Sequence, residues 1–247
     1  MGGVLSKRSV VDPVTERLAY IWTKRTVAEV EATARFGIYA DRLRSLGAPP
    51  RFEAEARAAS EDEQRHTGIC REMARRFGVS ELDAQPDDYR VREGDSPEML
   101  FGDVIATCCF SETINVALLS TTLQFASDPG IREATRELLS DEVRHSRLGW
   151  AYLAWGREQG LGDSIAGRLP EMLVTVTGPK MFREAPPRAD EGSYRALGDA
   201  HMSERRALFD STLNEVIPKG LEDHGIATES ARDWLTHPSW PEGHGED

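Results

Sequence analysis

The chain has 247 residues, a hydrophobic fraction of 39% and a charged fraction of 29%, which suits long amphipathic helices that bury one stripe and expose the rest. The formal net charge is −12, so the chain lacks the basic field that a nucleic-acid binder needs, and the charge disfavours docking on an acidic carrier protein. The longest uncharged apolar run is far shorter than a bilayer requires, so no membrane association is expected.

In chain order, a first helix is predicted from about Pro13 to Leu46, stopped by Gly47-Ala48-Pro49-Pro50. A second spans about Arg51 to Phe77 and ends at Gly78. Residues 79–95, with Pro86 and Gly94, read as a long connection. Ser96-Pro97-Glu98 has the form of an N-cap, a first-turn proline and a dipole-compatible acid, opening a third helix to about Ala126. Asp128-Pro129 breaks it and caps a fourth, from about Pro129 to Gln159. A short helical segment near Ile165 to Val176, a Pro-rich loop (Pro179, Pro186, Pro187) and another helix from about Glu191 to Ile217 follow, and the tail after Pro238 is expected to fray. The pattern predicts an all-α single domain over residues 1–247: a four-helix core at about 13–160 with one long crossover between helices 2 and 3, and a C-terminal helical extension at about 161–237.

Cys70, Cys108 and Cys109 form no CxxC pair, so neither a zinc ribbon nor a disulfide framework is indicated and a cytoplasmic setting is expected. Met1 to Ser6 fits a loose myristoylation pattern, too short to be given weight, and no signal-peptide apolar region follows it.

The chemistry-bearing pattern is a repeat. Asp62-Glu63-Gln64-Arg65-His66 and Asp141-Glu142-Val143-Arg144-His145 both read Asp-Glu-x-Arg-His, 79 residues apart. Glu-x-x-His sets a carboxylate and an imidazole about 60° apart on one helical face, so both can reach one metal. Glu112 precedes Glu142 by 30 residues and Glu31 precedes Glu63 by 32, as expected of a duplicated antiparallel hairpin giving Glu plus Glu-x-x-His from each half. Glu29 is the rival of Glu31 on a nearly opposite face; the repeat distance and the apolar neighbours Val27, Ala34 and Ile38 favour Glu31. Four carboxylates and two imidazoles carry about −4, matching two divalent ions, whereas carboxylates buried without metal cost several kcal/mol each or take up protons. Mixed O/N ligation favours iron or manganese over zinc or calcium. Asp62 and Asp141 are expected to hold the ligating imidazoles by their other N–H, with Arg65 and Arg144 three residues on, each able to pair with its own Asp.

At these residues the sequence resembles the ferritin-like di-iron carboxylate superfamily. The Asp-Glu-x-Arg-His form is similar to that of soluble methane-type monooxygenases, acyl-carrier-protein desaturases and the p-aminobenzoate N-oxygenase group. The resemblance covers about Val27 to Trp155 and implies Glu31, Glu63, His66, Glu112, Glu142 and His145 as ligands of two iron ions, with manganese or a mixed pair as alternatives. It further implies an oxidase or oxygenase that uses O2 on a small organic substrate, with a possible homodimer; the sequence shows no rubredoxin-like cysteine pair or dinucleotide fingerprint, so electrons are expected from an external donor, a separate reductase or small reductant, or else from peroxide or the substrate itself. Leu138 stands where the N-oxygenase group carries an additional His, and His201 is a candidate extra ligand. Cys70, Cys108, Val116 and Gly149, one turn from ligands, are candidates to line a substrate space, with ordinary helix packing as the alternative. A ferroxidase, iron-handling or peroxide-scavenging protein of ferritin or rubrerythrin type is the competing expectation.

Overall fold

A computed structural model of the chain describes residues 12–85, 96–179 and 190–243. The Met1–Ser6 pattern, residues 86–95 of the expected connection, Pro186 and Pro187, and the last four residues lie outside the described residues. Among the described residues all regular structure is helical and no strand occurs.

Helix α1 (Pro13–Ser45) starts on Asp12, whose carboxylate accepts the Thr15 N–H at 3.1 Å, and ends where Gly47 takes φ +71°. Helix α2 (Pro50–Arg76) returns antiparallel. Arg57 donates to Asp41 at 2.8 Å near the turn, and further along the Ser60 hydroxyl donates to the Thr33 carbonyl at 2.8 Å. Ser96 caps α3 (Pro97–Val104), which runs on through a wide π-helical segment (Ile105–Ser111) into α4 (Glu112–Phe125). Asp128 caps α5 (Pro129–Glu158) by accepting the Ile131 N–H at 2.9 Å, and Gly160 (φ +81°) ends it. Helices α1, α2, α3 and α5 begin within a residue or two of the starts expected from the sequence, and α4 continues the third expected helix.

The continuous helix Pro97–Phe125 has a window of mean hydropathy 1.4 and is long and apolar enough to cross a bilayer by length and composition, unlike the short apolar run expected from the sequence. More than half of that window is buried inside the molecule, 56%, because α5 and the C-terminal helices pack around it.

The C-terminal third departs most from expectation. The segment near Ile165 to Val176 is two short helices, α6 (Asp163–Ala166) and α7 (Leu169–Val176). The helix expected from Glu191 to Ile217 is broken into α8 (Glu191–Ala196) and α9 (Met202–Ser211), followed by a π-helical segment (Thr212–Val216) and α10 (Ile217–Asp223). The break falls at Gly198, which takes φ +81°, and at Asp199, which is buried and accepts the Arg17 Nε–H at 3.1 Å. A final helix, α11 (Glu229–Thr236), packs on α7 and was not foreseen.

The apolar interior falls into two clusters. One gathers Phe36, Leu43, Phe52, Phe101, Tyr152 and Leu213, and the other Leu18, Trp22, Met73, Leu119, Ile131 and Leu138. Along α1, α2 and α5 the buried residues between those two clusters are polar, and Glu112 of α4 lies at the edge of the first cluster. That polar layer is the candidate site.

Candidate metal centre

Six side chains occupy the layer, all nearly inaccessible: Glu29 at 5% exposed, Glu63 at 1%, His66 at 0%, Glu112 at 7%, Glu142 at 1% and His145 at 2%. They form two groups that share members. Glu29, Glu63, His66 and Glu142 make one, and Glu63, Glu112, Glu142 and His145 the other, with the offered oxygen and nitrogen atoms of each group within 4.8 Å of one another. Each group is three carboxylates and one imidazole, a donor set able to hold a metal ion, and Glu63 and Glu142 stand between the two.

The shared residues are oriented for that position. Glu63 puts Oε2 3.1 Å from His66 Nδ1 and Oε1 3.1 Å from His145 Nδ1, one oxygen toward each imidazole. Glu142 puts Oε2 3.1 Å from His145 Nδ1 and Oε1 3.8 Å from His66 Nδ1. Both rings therefore turn Nδ1 inward, which the i, i+3 spacing on α2 and α5 allows.

The outward Nε2 atoms are held across the helix pair. His66 Nε2 donates to Asp141 at 3.0 Å, and His145 Nε2 to Asp62 at 3.3 Å. Each Asp thus serves the imidazole of the other helix. The arginines do both jobs: Arg65 pairs with Asp62 at 3.0 Å and also with Asp141, and Arg144 pairs with Asp141 at 2.7 Å and with Asp62 at 2.8 Å. This quartet closes one side of the layer with two positive and two negative groups. Phe36 packs on His145 with ring centroids 5.2 Å apart, at the border with the first apolar cluster.

Charge without metal is costly at such burial. Burial pushes the Glu63 carboxyl up, and the Glu112 carboxyl further still because Glu142 and Glu63 repel its charge. Burial disfavours the imidazolium of His66, but Glu29 and Glu63 outweigh it and raise the ring to about 11; Glu142 and Glu63 raise His145 to about 10. Metal-free, the layer holds protons where cations fit. Asp62 is lowered instead: its burial is outweighed by hydrogen bonds from Arg144, Arg65 and His145.

Glu63, His66, Glu112, Glu142 and His145 come together as the motif spacing predicts, while Glu31 does not join them and Glu29 stands in the place expected of it. The reason is the face of α1. Trp22, Glu29, Phe36 and Leu43 recur at intervals of seven and are all buried, whereas Val27, Glu31, Ala34 and Ile38 lie on the half-exposed side. The seven-residue spacing was the available signal. Glu29 precedes Glu63 by 34 residues against 30 for Glu112 and Glu142, so the two hairpins differ by about one helical turn.

Glu112 follows directly on the π-helical segment, and its N–H donates to the Thr107 carbonyl five residues back. Such a widened turn offsets the faces before and after it and is frequent at functional sites. His201 is not part of the layer: its Nδ1 accepts the Ser203 N–H and caps α9. Leu138 is buried in the second apolar cluster. Gly149 leaves no space, because a Cβ there would lie 2.5 Å from Cys108 Cβ and 2.8 Å from the Cys108 carbonyl carbon. Cys70, also buried, directs Sγ toward Glu29 Oε1 at 3.9 Å, and Asn115, which the motifs did not indicate, donates to Glu142 Oε1 at 2.9 Å. All three cysteines are free thiols. No protein-family model, curated protein or solved structure matches the chain.

Proposed function

We propose that α1, α2, α3–α4 and α5 form a ferritin-like four-helix bundle with a crossover between α2 and α3, and that the chain is a non-haem di-iron oxidase or oxygenase acting on a small organic molecule. The observation that carries this is the doubled donor set, two groups of three carboxylates and one imidazole sharing Glu63 and Glu142.

The donors fit two divalent cations in charge and chemistry, since four carboxylates balance a total charge of +4 and two neutral imidazoles complete an O/N set suited to iron or manganese. Bound there, iron supplies the redox chemistry that couples O2 reduction to oxidation of the substrate. Glu63 and Glu142 each offer one oxygen to either position, and carboxylates that can shift between bridging and terminal contact tolerate a change of metal charge. Asp141 and Asp62 accept from Nε2 of His66 and His145, so Nδ1 is the nitrogen of each ring that would hold a metal. The apolar clusters on either side exclude water. No rubredoxin-like cysteine pair is present in the sequence, which supports an external electron donor.

A second reading is favoured by the filled space at Gly149 and the near-equivalence of the two donor groups: a ferroxidase or peroxide-scavenging protein with no organic substrate. Anaerobic loading with Fe(II), then O2, followed spectroscopically with and without candidate substrates, separates the two. Substrate-dependent consumption of the oxidised centre supports the oxygenase; repeated Fe(II) turnover with no organic substrate supports the ferroxidase.

A further inference from the structure

The two donor groups match in composition but not in their surroundings. Asn115 donates to Glu142 Oε1, the oxygen that faces His66, while Oε2 faces His145 Nδ1 at 3.1 Å. Cys70 directs its thiol at Glu29 Oε1, and Glu29 belongs to the same group as His66. In the duplicated half the position of Cys70 is Gly149, where the backbone at Cys108 and Cys109 fills the space. Among the described residues, Glu112 accepts no hydrogen bond from a thiol or amide side chain. The Asn115 bond falls on the Glu142 oxygen that faces His66, and the Cys70 bond falls on Oε1 of Glu29, whose other oxygen lies 3.7 Å from His66 Nδ1; neither falls on Glu112. A carboxylate oxygen that accepts such a bond is less basic, and so a weaker donor to a metal.

We propose that Asn115 and Cys70 make the two ion positions unequal: the position formed by Glu63, Glu112, Glu142 and His145 fills first and holds its ion, and the position formed by Glu29, Glu63, His66 and Glu142 fills second and exchanges. This rests on the two-ion reading given above. Asn115 is a positioning residue, acting through Glu142. The consequence for the chemistry is an order of assembly, with one resident ion and one that joins or leaves.

The test is an anaerobic titration of the full metal-free chain with Mn2+ alone, followed by calorimetry and electron paramagnetic resonance. The expected result is two steps with affinities at least about tenfold apart, an isolated-ion spectrum through the first equivalent and spin-coupled features only with the second. His66→Ala should keep the tight step and lose the weak one, and His145→Ala should lose the tight one. Asn115→Leu should narrow the gap between the two steps, and Cys70→Ala should act in the same direction. Two equal ions in the unaltered chain, or loss of the tight step in His66→Ala, overturns the inference while leaving the two-ion centre standing. Absence of any bound Mn2+ overturns the centre itself and this inference with it.

Discussion

His66 Nε2 donates to Asp141 on the opposite helix at 3.0 Å, not to Asp62 on its own. With the reciprocal bond from His145 to Asp62 at 3.3 Å, the two Asp-Glu-x-Arg-His segments are interlocked, so each helix holds the imidazole of the other with Nδ1 toward the buried carboxylates. Asp141→Asn should therefore loosen the ion beside His66, and Asp62→Asn the ion beside His145, each by about 10- to 100-fold. Competition with a chelator, read against His66→Ala and His145→Ala, checks which ion each variant loses. If each variant loosened the ion on its own helix, the crossed arrangement would be contradicted.

Glu29 and Glu31 give a direct contrast. Glu29→Ala removes a carboxylate from the buried layer and should leave one tightly held ion per chain, while Glu31→Ala on the half-exposed face should leave both. Metal analysis of the two purified variants, with helical circular dichroism to show that both are folded, decides between them.

The contact at Gly149 makes a stability prediction. A methyl group there would press on Cys108 Cβ at 2.5 Å and on the backbone of Cys108 and Cys109 at 2.8 and 2.9 Å, and backbone cannot yield as a side-chain tip can. Gly149→Ala should destabilise the fold by about 1–3 kcal/mol, and its strain should reach Glu112 through the π-helical segment. Urea unfolding measures the first effect and metal affinity the second.

How much of this was open to the sequence depends on the range of each interaction. The Glu-x-x-His pairs are visible because their geometry is local, fixed by 3.6 residues per turn. The caps Asp12, Ser96 and Asp128 place helix starts for the same reason. Glu29 was harder, since its face becomes clear only when Trp22, Phe36 and Leu43 are known to be buried together. The π-helical segment before Glu112 leaves no mark in Ile105–Ser111 that composition could reveal. The crossed Asp–His bonds and the Asn115 contact join helices and exist only in three dimensions. The C-terminal helix was overextended because its periodicity continues across Gly198, while the buried Asp199–Arg17 pair that ends it lies 182 residues away in sequence.

Proton linkage follows from the raised imidazoles. With His66 near 11 and His145 near 10 in the metal-free fold, both above the ordinary 6.5, their contribution to stability is full below about pH 6.5 and is lost as pH rises through the folded values. The raised Glu63 and Glu112 carboxyls act in the same sense, stabilising while protonated and losing that contribution as pH rises. The metal-free protein should thus lose stability steadily from neutral to alkaline pH. Metal must displace these protons, so binding should release them and tighten as pH rises. Thermal unfolding with and without Mn2+ at several pH values, and calorimetry in buffers of different ionisation enthalpy, check both signs.

The most direct measurement is the number of Fe(II) ions bound per chain at saturation in an anaerobic equilibrium titration, beside Glu63→Ala treated identically. Because Glu63 belongs to both donor groups, the unaltered chain should bind about two irons and the variant well under one, with its helices intact. Less than about 0.2 iron per unaltered chain, or full binding in Glu63→Ala, would contradict a shared two-ion centre.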